Sequence, residues 1–302
     1  MASAGFNNPY FTQEQSNRGQ QGYATPLNPD QLMNARQGAQ IPQVADQARL
    51  EGMYSAPAAG TPQTGRMTYE DTIVKTAILF GVMLVVAVIS WVITLGGVFA
   101  PDQARTLVMV PALIGAIGTL VISLVIAFRK QSPVGLTFAY AVAEGLFVGG
   151  ISAIFEALYP GIVVQAALAS IAVIGVTLAL FASGKIRASA RMTKIMLIAL
   201  VAYAAFSLLN VILMWTGVFG DSGGFGLRSE VTIMGIPLGL IIGVVVVFMG
   251  AYMLVVDFDM VQRGVRNGAP QKLAWTAAYG ILSTVVFIYI EILRMIAIAR
   301  NN

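Results

Sequence analysis

Long apolar runs, separated by short polar joints, set the pattern of this chain from about residue 72 onward. Seven runs stand out, at roughly 72–97, 104–128, 134–157, 161–183, 193–217, 231–259 and 273–298. At about 1.5 Å of rise per helical residue, each is long enough to cross about 30 Å of hydrocarbon. The alternation of apolar and polar positions that a barrel strand needs is missing from them. The pattern predicts an all-α integral membrane protein with seven transmembrane helices. Pro133 and the pair Pro160-Gly161 mark where the third and fourth runs begin. No internal repeat is visible, so the inverted-repeat transporter architecture is not indicated.

Residues 1–68 are of different material. They are rich in Gln, Asn, Gly, Pro, Ala and Ser and hold few clustered aliphatic residues. Such a segment cannot bury enough apolar surface to offset its ordering entropy, so it is expected to be a disordered tail. It lacks the basic start, apolar centre and small-residue cleavage site of a signal peptide. Residues 69–302 are expected to form the membrane domain.

Composition narrows the chemistry. Charged residues make up 11% of the chain and apolar residues 57%, against about 25% charged in soluble domains. The lipid bilayer is therefore the first expected partner. With no cysteine and no histidine, disulfides, thiolate chemistry, imidazole metal ligands and Ser-His or Cys-His catalysis are excluded. No enzymatic activity, bound cofactor or nucleic-acid partner is expected. Lys and Arg gather in alternate loops, with Arg129 and Lys130 after the second run. Lys185, Arg187, Arg191 and Lys194 follow the fourth, and Arg263, Arg266 and Lys272 the sixth. The positive-inside rule puts these loops and the N-terminus in the cytoplasm and, after seven crossings, the C-terminus outside. Arg294 and Arg300 sit uneasily at that end: either they snorkel outward or the last run does not cross fully, and full crossing is the preferred reading.

Acids inside the apolar runs are the candidates for function, because an ionisable group in hydrocarbon is costly and marks a pathway, relay or sensor. Glu144 falls about mid-depth in the third run, with Gly145 and Gly149 forming a small-xxx-small face for close packing. Glu156, near the end of that run, reads as interfacial. Asp257 and Asp259 sit near the end of the sixth run, on different helix faces. Asp257 is the inward candidate, and Asp259 is placed to pair with Arg263 one turn on. Glu291 lies in the seventh run, on a stripe with Gly280, Thr284 and Phe287 that suits an interior face. It can also pair with Arg294 at i+3.

Depth decides whether Asp257 and Glu291 can meet. A seventh helix entering the membrane at Lys272 would put them at opposite levels. An aromatic belt of Trp275 and Tyr279 at the inner interface would bring them closer. Two carboxyls sharing a low-dielectric site cannot both ionise freely, so such a pair would sense protons. Deprotonated, it would be a hard, oxygen-rich site suited to Ca²⁺. Arg129, at the inner end of the second run, is placed to latch onto Asp257.

Four segments carry a family resemblance: MTYEDTIVKTAILF, AEGLFVGGIS, VVDFDMVQ and YIEILRMI. Together they resemble the transmembrane Bax inhibitor motif (Bax inhibitor-1-like) family, in its bacterial YetJ/YccA-like branch, over roughly residues 67–300. The resemblance implies six helices wrapped around a central seventh. It implies a pH-sensitive Ca²⁺ leak gated by an acid pair, here Asp257 and Glu291, with Arg129 as latch and a bacterial plasma membrane as location. The second acid is Glu where the family pattern has Asp, and the segment between the two acids is longer. A second reading is a regulator that binds other membrane proteins, a membrane protease among them, through its N-terminal tail. An intramembrane aspartyl protease is disfavoured, because VVDFD lacks the Gly-x-Gly-Asp setting.

Overall fold

A computed structural model describes residues 65–98, 108–129, 132–216 and 225–301. The expected tail, up to residue 64, lies outside the described residues, as do Lys130 and the charged positions Asp102, Arg105 and Asp221. Seven long helices dominate: α1 (Tyr69–Val98), α2 (Val110–Ala127), α3 (Val134–Leu158), α4 (Ile162–Ala182), α5 (Ala190–Trp215), α6 (Leu238–Arg266) and α7 (Leu273–Asn301). All seven carry a membrane-spanning window, with mean hydropathy between 1.7 and 2.8. Val88, Leu168, Ile171 and Val201 stand outward and exposed, as lipid-facing positions must when backbone polar groups are satisfied within each helix. The chain is an all-α multi-pass membrane protein.

The sixth helix differs from the sequence reading at both ends. The sixth helix starts at Leu238, not near residue 231, because Thr232–Ile233 pairs antiparallel with Ile236–Pro237. Met234 and Gly235 turn this small hairpin at φ 55° and 80°, a region that glycine enters without strain. Pro237 then stands in extended backbone as the N-cap of α6. At its other end α6 runs on to Arg266, so Asp257 lies about 14 Å inside the helix terminus at ~1.5 Å per residue.

The packing grows from small residues. A Cβ on Gly149 of α3 would stand 2.1 Å from the Ala87 carbonyl oxygen of α1, and one on Gly115 of α2 would stand 2.2 Å from the Phe147 nitrogen of α3. Without a hydrophobic force between helices in lipid, such backbone approach provides the contact. Ser90 adds a hydrogen bond of 2.8 Å to the Leu146 carbonyl. Helix α3 thus lies between α1 and α2, while α7 packs on α1, α3, α4 and α6.

The face at which α1 begins is called the near face here, and the opposite one the far face. At the near face, the Met67 amide donates to the Ala269 carbonyl at 2.7 Å and the Gln271 amide to the Gly65 carbonyl at 2.9 Å. Met67 is buried. Residues 65–68, assigned to the tail from sequence, therefore dock on the α6–α7 turn. Lys75 reinforces this corner. It pairs with Asp71 at 2.6 Å and donates to the Gln271 carbonyl at 3.1 Å.

At the far face Glu156 has a more definite role than an interfacial charge. Its carboxylate accepts from the amides of Gly161 at 2.6 Å and Val163 at 3.1 Å. It thereby caps the otherwise unsatisfied first turn of α4.

Helix α5 is held differently from the rest. Only 6% of its most apolar window is buried, and its most extensive helix-to-helix packing is with α6. Polar side chains tie it down instead. At its near end the Tyr252 hydroxyl accepts from the Ser189 amide and meets the Thr193 hydroxyl, both at 3.2 Å. Toward the far face it is tied through Tyr203, Ser207 and Asn210.

Candidate functional site

Asp257 and Glu291 are both buried, with 3% and 2% of their surface exposed. Each has its own partners. Thr284 of α7 donates its hydroxyl to Asp257 Oδ2 at 2.6 Å. Gly280, one turn earlier, leaves room for the carboxylate, since a Cβ there would stand 3.1 Å from Oδ1. Tyr203 of α5 donates to Glu291, its Oη lying 2.8 Å from Oε1 and 2.7 Å from Oε2. Arg294 forms an ion pair with Glu291 and also donates to Tyr203 Oη. It turns inward to that cluster, not outward to the membrane surface.

No hydrogen bond joins Asp257 to Glu291 among the described residues. Thr284 and Glu291 are seven residues apart on α7, which separates the two acids by about 10 Å along the helix. They stand in series, not as a pair. The aromatic belt expected to bring them level does not form. Tyr279 is a core residue, 4% exposed, with its ring edge-on to Tyr140 at 4.6 Å between centroids. Trp275 leans on Phe138 at 5.2 Å, with the Lys75 ammonium over its face.

The two acids nevertheless share a neighbour. A cavity of about 320 Å³ lies between α5, α6 and α7, lined by Tyr203, Ala204, Met253, Ser283, Thr284 and Phe287 among others. Thr284 is the partner of Asp257, and Tyr203 is the partner of Glu291. One chamber thus touches the hydroxyl partner of each acid.

Above Glu291 the cluster carries a second guanidinium. Arg228 comes from the short helical turn Leu227–Glu230 between α5 and the hairpin, and is only 4% exposed. It donates to Tyr203 Oη at 3.1 Å and to Ser207 Oγ at 2.6 Å. Its guanidinium lies over the rings of Tyr203 and Phe206. Its Nε is buried without a hydrogen-bond partner among the described residues. Two guanidinium groups and one carboxylate meet at one tyrosine, and both faces of this network depend on α5 staying in place.

The other sequence candidates fall elsewhere. Asp259 is buried and pairs with Arg263 on its own helix. Glu144 is buried in α3, one turn beyond Tyr140. Tyr140 packs edge-on against Tyr279, whose neighbour Gly280 faces the Asp257 carboxylate. Arg129 lies exposed just beyond α2. Although Ile126 at this end of α2 packs into the core with Tyr279 and Leu282 of α7, the Arg129 side chain stands in the open, and no ion pair joins it to Asp257 among the described residues. Sequence reasoning missed Tyr203, Ser207 and Arg228. A tyrosine within the fifth apolar run was the available signal for the first. Arg228, between Asp221 and Glu230, gave no sign of burial.

No curated protein and no solved structure matches the chain. A family model does, that of the Bax inhibitor 1 like proteins, over residues 8–301. The match begins well inside the tail, earlier than the resemblance read from residues 67–300. With nearly its whole length matched, the chain belongs to the Bax inhibitor 1 like family.

Proposed function

We propose that this protein is a Ca²⁺-permeable leak whose conductance responds to pH, with Asp257 and Glu291 as two acid stations in series. The observation that carries this reading is the shared cavity: Thr284 and Tyr203, the hydroxyl partners of the two acids, line the same chamber. A cation entering it would find hydroxyl and, a short step away, carboxylate oxygens, the ligand type that Ca²⁺ prefers. Protonation of either acid would remove a negative charge from the path, and loss of the Glu291 charge would leave Arg294 and Arg228 unopposed. With the near face in the cytoplasm, the loop basic residues obey the positive-inside rule. The bacterial YetJ/YccA-like branch and a plasma-membrane location belong to the same proposal.

The test is Ca²⁺ flux into proteoliposomes of the full chain between about pH 6 and about pH 8, the range over which a buried carboxyl can titrate. The wild type is expected to show pH-dependent flux, with Asp257→Asn and Glu291→Gln each altering that dependence while the protein stays folded. Absence of flux from folded wild-type protein, or a pH response unchanged in both variants, would overturn the reading.

A further inference from the structure

We propose that Arg228 is the latch that holds α5 as the closed wall of the cavity between the two acids. In this arrangement α5 is the wall that moves, swinging about its near-face end. The inference rests on the leak reading only for what passes through the opening.

Three observations carry it. First, α5 is the least buried of the seven spans: 6% of its most apolar window is buried, where the corresponding window of α3 is 56% buried. In lipid, apolar side chains gain little by facing another helix instead of an acyl chain, so polar and close-packed contacts decide helix position. Second, Tyr203 and Ala204 of α5 form one wall of the cavity, opposite Ser283, Thr284 and Phe287 of α7. Moving α5 outward would therefore open the chamber without disturbing the α6–α7 contact or the Thr284–Asp257 bond. Third, a two-pronged clasp from outside the helical bundle holds the far half of α5, beside the bonds that Glu291 and Arg294 of α7 make to Tyr203. Arg228 reaches Tyr203 and Ser207, one turn apart on α5. Asn210 adds a smaller tie to the same segment, accepting from the Leu227 amide at 2.9 Å and donating to the Phe225 carbonyl at 3.2 Å.

Arg228 suits a releasable hold. Its charge is buried against one shared tyrosine, with Arg294 competing for the same hydroxyl and its own Nε without a partner among the described residues. Because Tyr203 and Ser207 stand on one helix, an outward displacement of α5 undoes both prongs together. The Ser189–Thr193–Tyr252 contacts at the other end of α5 would persist and act as the pivot.

The absence of cysteine from the sequence makes the test clean. Ser283→Cys puts a single thiol on the inner wall of the cavity, in the full chain reconstituted in liposomes. Its reaction rate with a small, charged, water-soluble thiol reagent reads water access without any ion flux. With Arg228 in place the rate should be low. Arg228→Gln on the Ser283→Cys background should raise it by about tenfold or more, as expected when a charged hydrogen bond is lost. Ser207→Ala, which removes one prong and keeps the arginine, should raise it by a smaller factor. If Arg228→Gln fails to fold, the Ser207→Ala rate decides the matter. Equal labelling with and without the clasp in folded protein would overturn the latch. So would a Ser283→Cys thiol as reactive as an exposed one in the parent protein, because the wall would then already be open. A protein that labels as expected but conducts no Ca²⁺ would keep the latch and remove the leak.

Discussion

Thr284 and Tyr203 face one cavity from opposite walls, the first donating to Asp257 at 2.6 Å and the second donating to Glu291. Two acids that do not touch are thereby linked through hydroxyl groups. Neither acid can change its charge without changing a hydrogen bond at the edge of that chamber.

The Asp257 end can be tested by subtraction. Thr284→Val keeps the shape of the side chain but leaves the buried carboxylate without its donor. Loss of a hydrogen bond to a buried charged group costs about 1.5–3 kcal/mol, so the melting temperature in detergent should fall. Thr284→Ser, which retains the hydroxyl, should recover most of the loss. Equal stability of the Val and Ser variants would show that the bond contributes nothing.

At the Glu291 end the hub is Tyr203. Tyr203→Phe leaves the ring and removes the one oxygen that joins Glu291, Arg294 and Arg228. Its effect on stability should not add to that of Arg228→Gln, since both break the same network. Coupling of about 0.5–3 kcal/mol in a double-mutant cycle is the expected outcome. Additive effects would mean that the two side chains act independently.

Close approach of α1 and α3 makes a steric prediction. Gly149→Ala would push a methyl group to 2.1 Å from the Ala87 carbonyl, whereas Gly81 on α1 has open space where its Cβ would be. Gly149→Ala should destabilise by about 1–3 kcal/mol, the usual cost of overpacking, and Gly81→Ala should not. Thermal unfolding of the two variants side by side measures the contrast.

The start of the folded domain can be mapped by truncation. A chain beginning at Gly65 keeps the pairing of residues 65–67 with Ala269 and Gln271, and one beginning at Tyr69 loses it. The shorter chain should be cut faster by protease in the α6–α7 turn. Equal cleavage would show that the pairing does not protect the turn.

By itself the sequence determined the class of the protein and most of its elements. Seven apolar runs gave seven helices, because hydrocarbon forces each backbone to satisfy its own hydrogen bonds. The stripe Gly280, Thr284, Phe287 and Glu291 was legible as one interior face, since positions three and four apart share a side of a helix. The local pairs Asp259–Arg263 and Glu291–Arg294 were legible for the same reason. Tertiary structure alone decided which acid meets which partner. Periodicity gives the face of a residue but not its level against the neighbouring helix. The α6–α7 register therefore set Asp257 beside Thr284 and left Glu291 about two helical turns beyond it. Arg228 was beyond reach for a related reason. A charge in a short polar joint looks the same in sequence whether the joint stays in water or, as here, folds back to bury its guanidinium against α5.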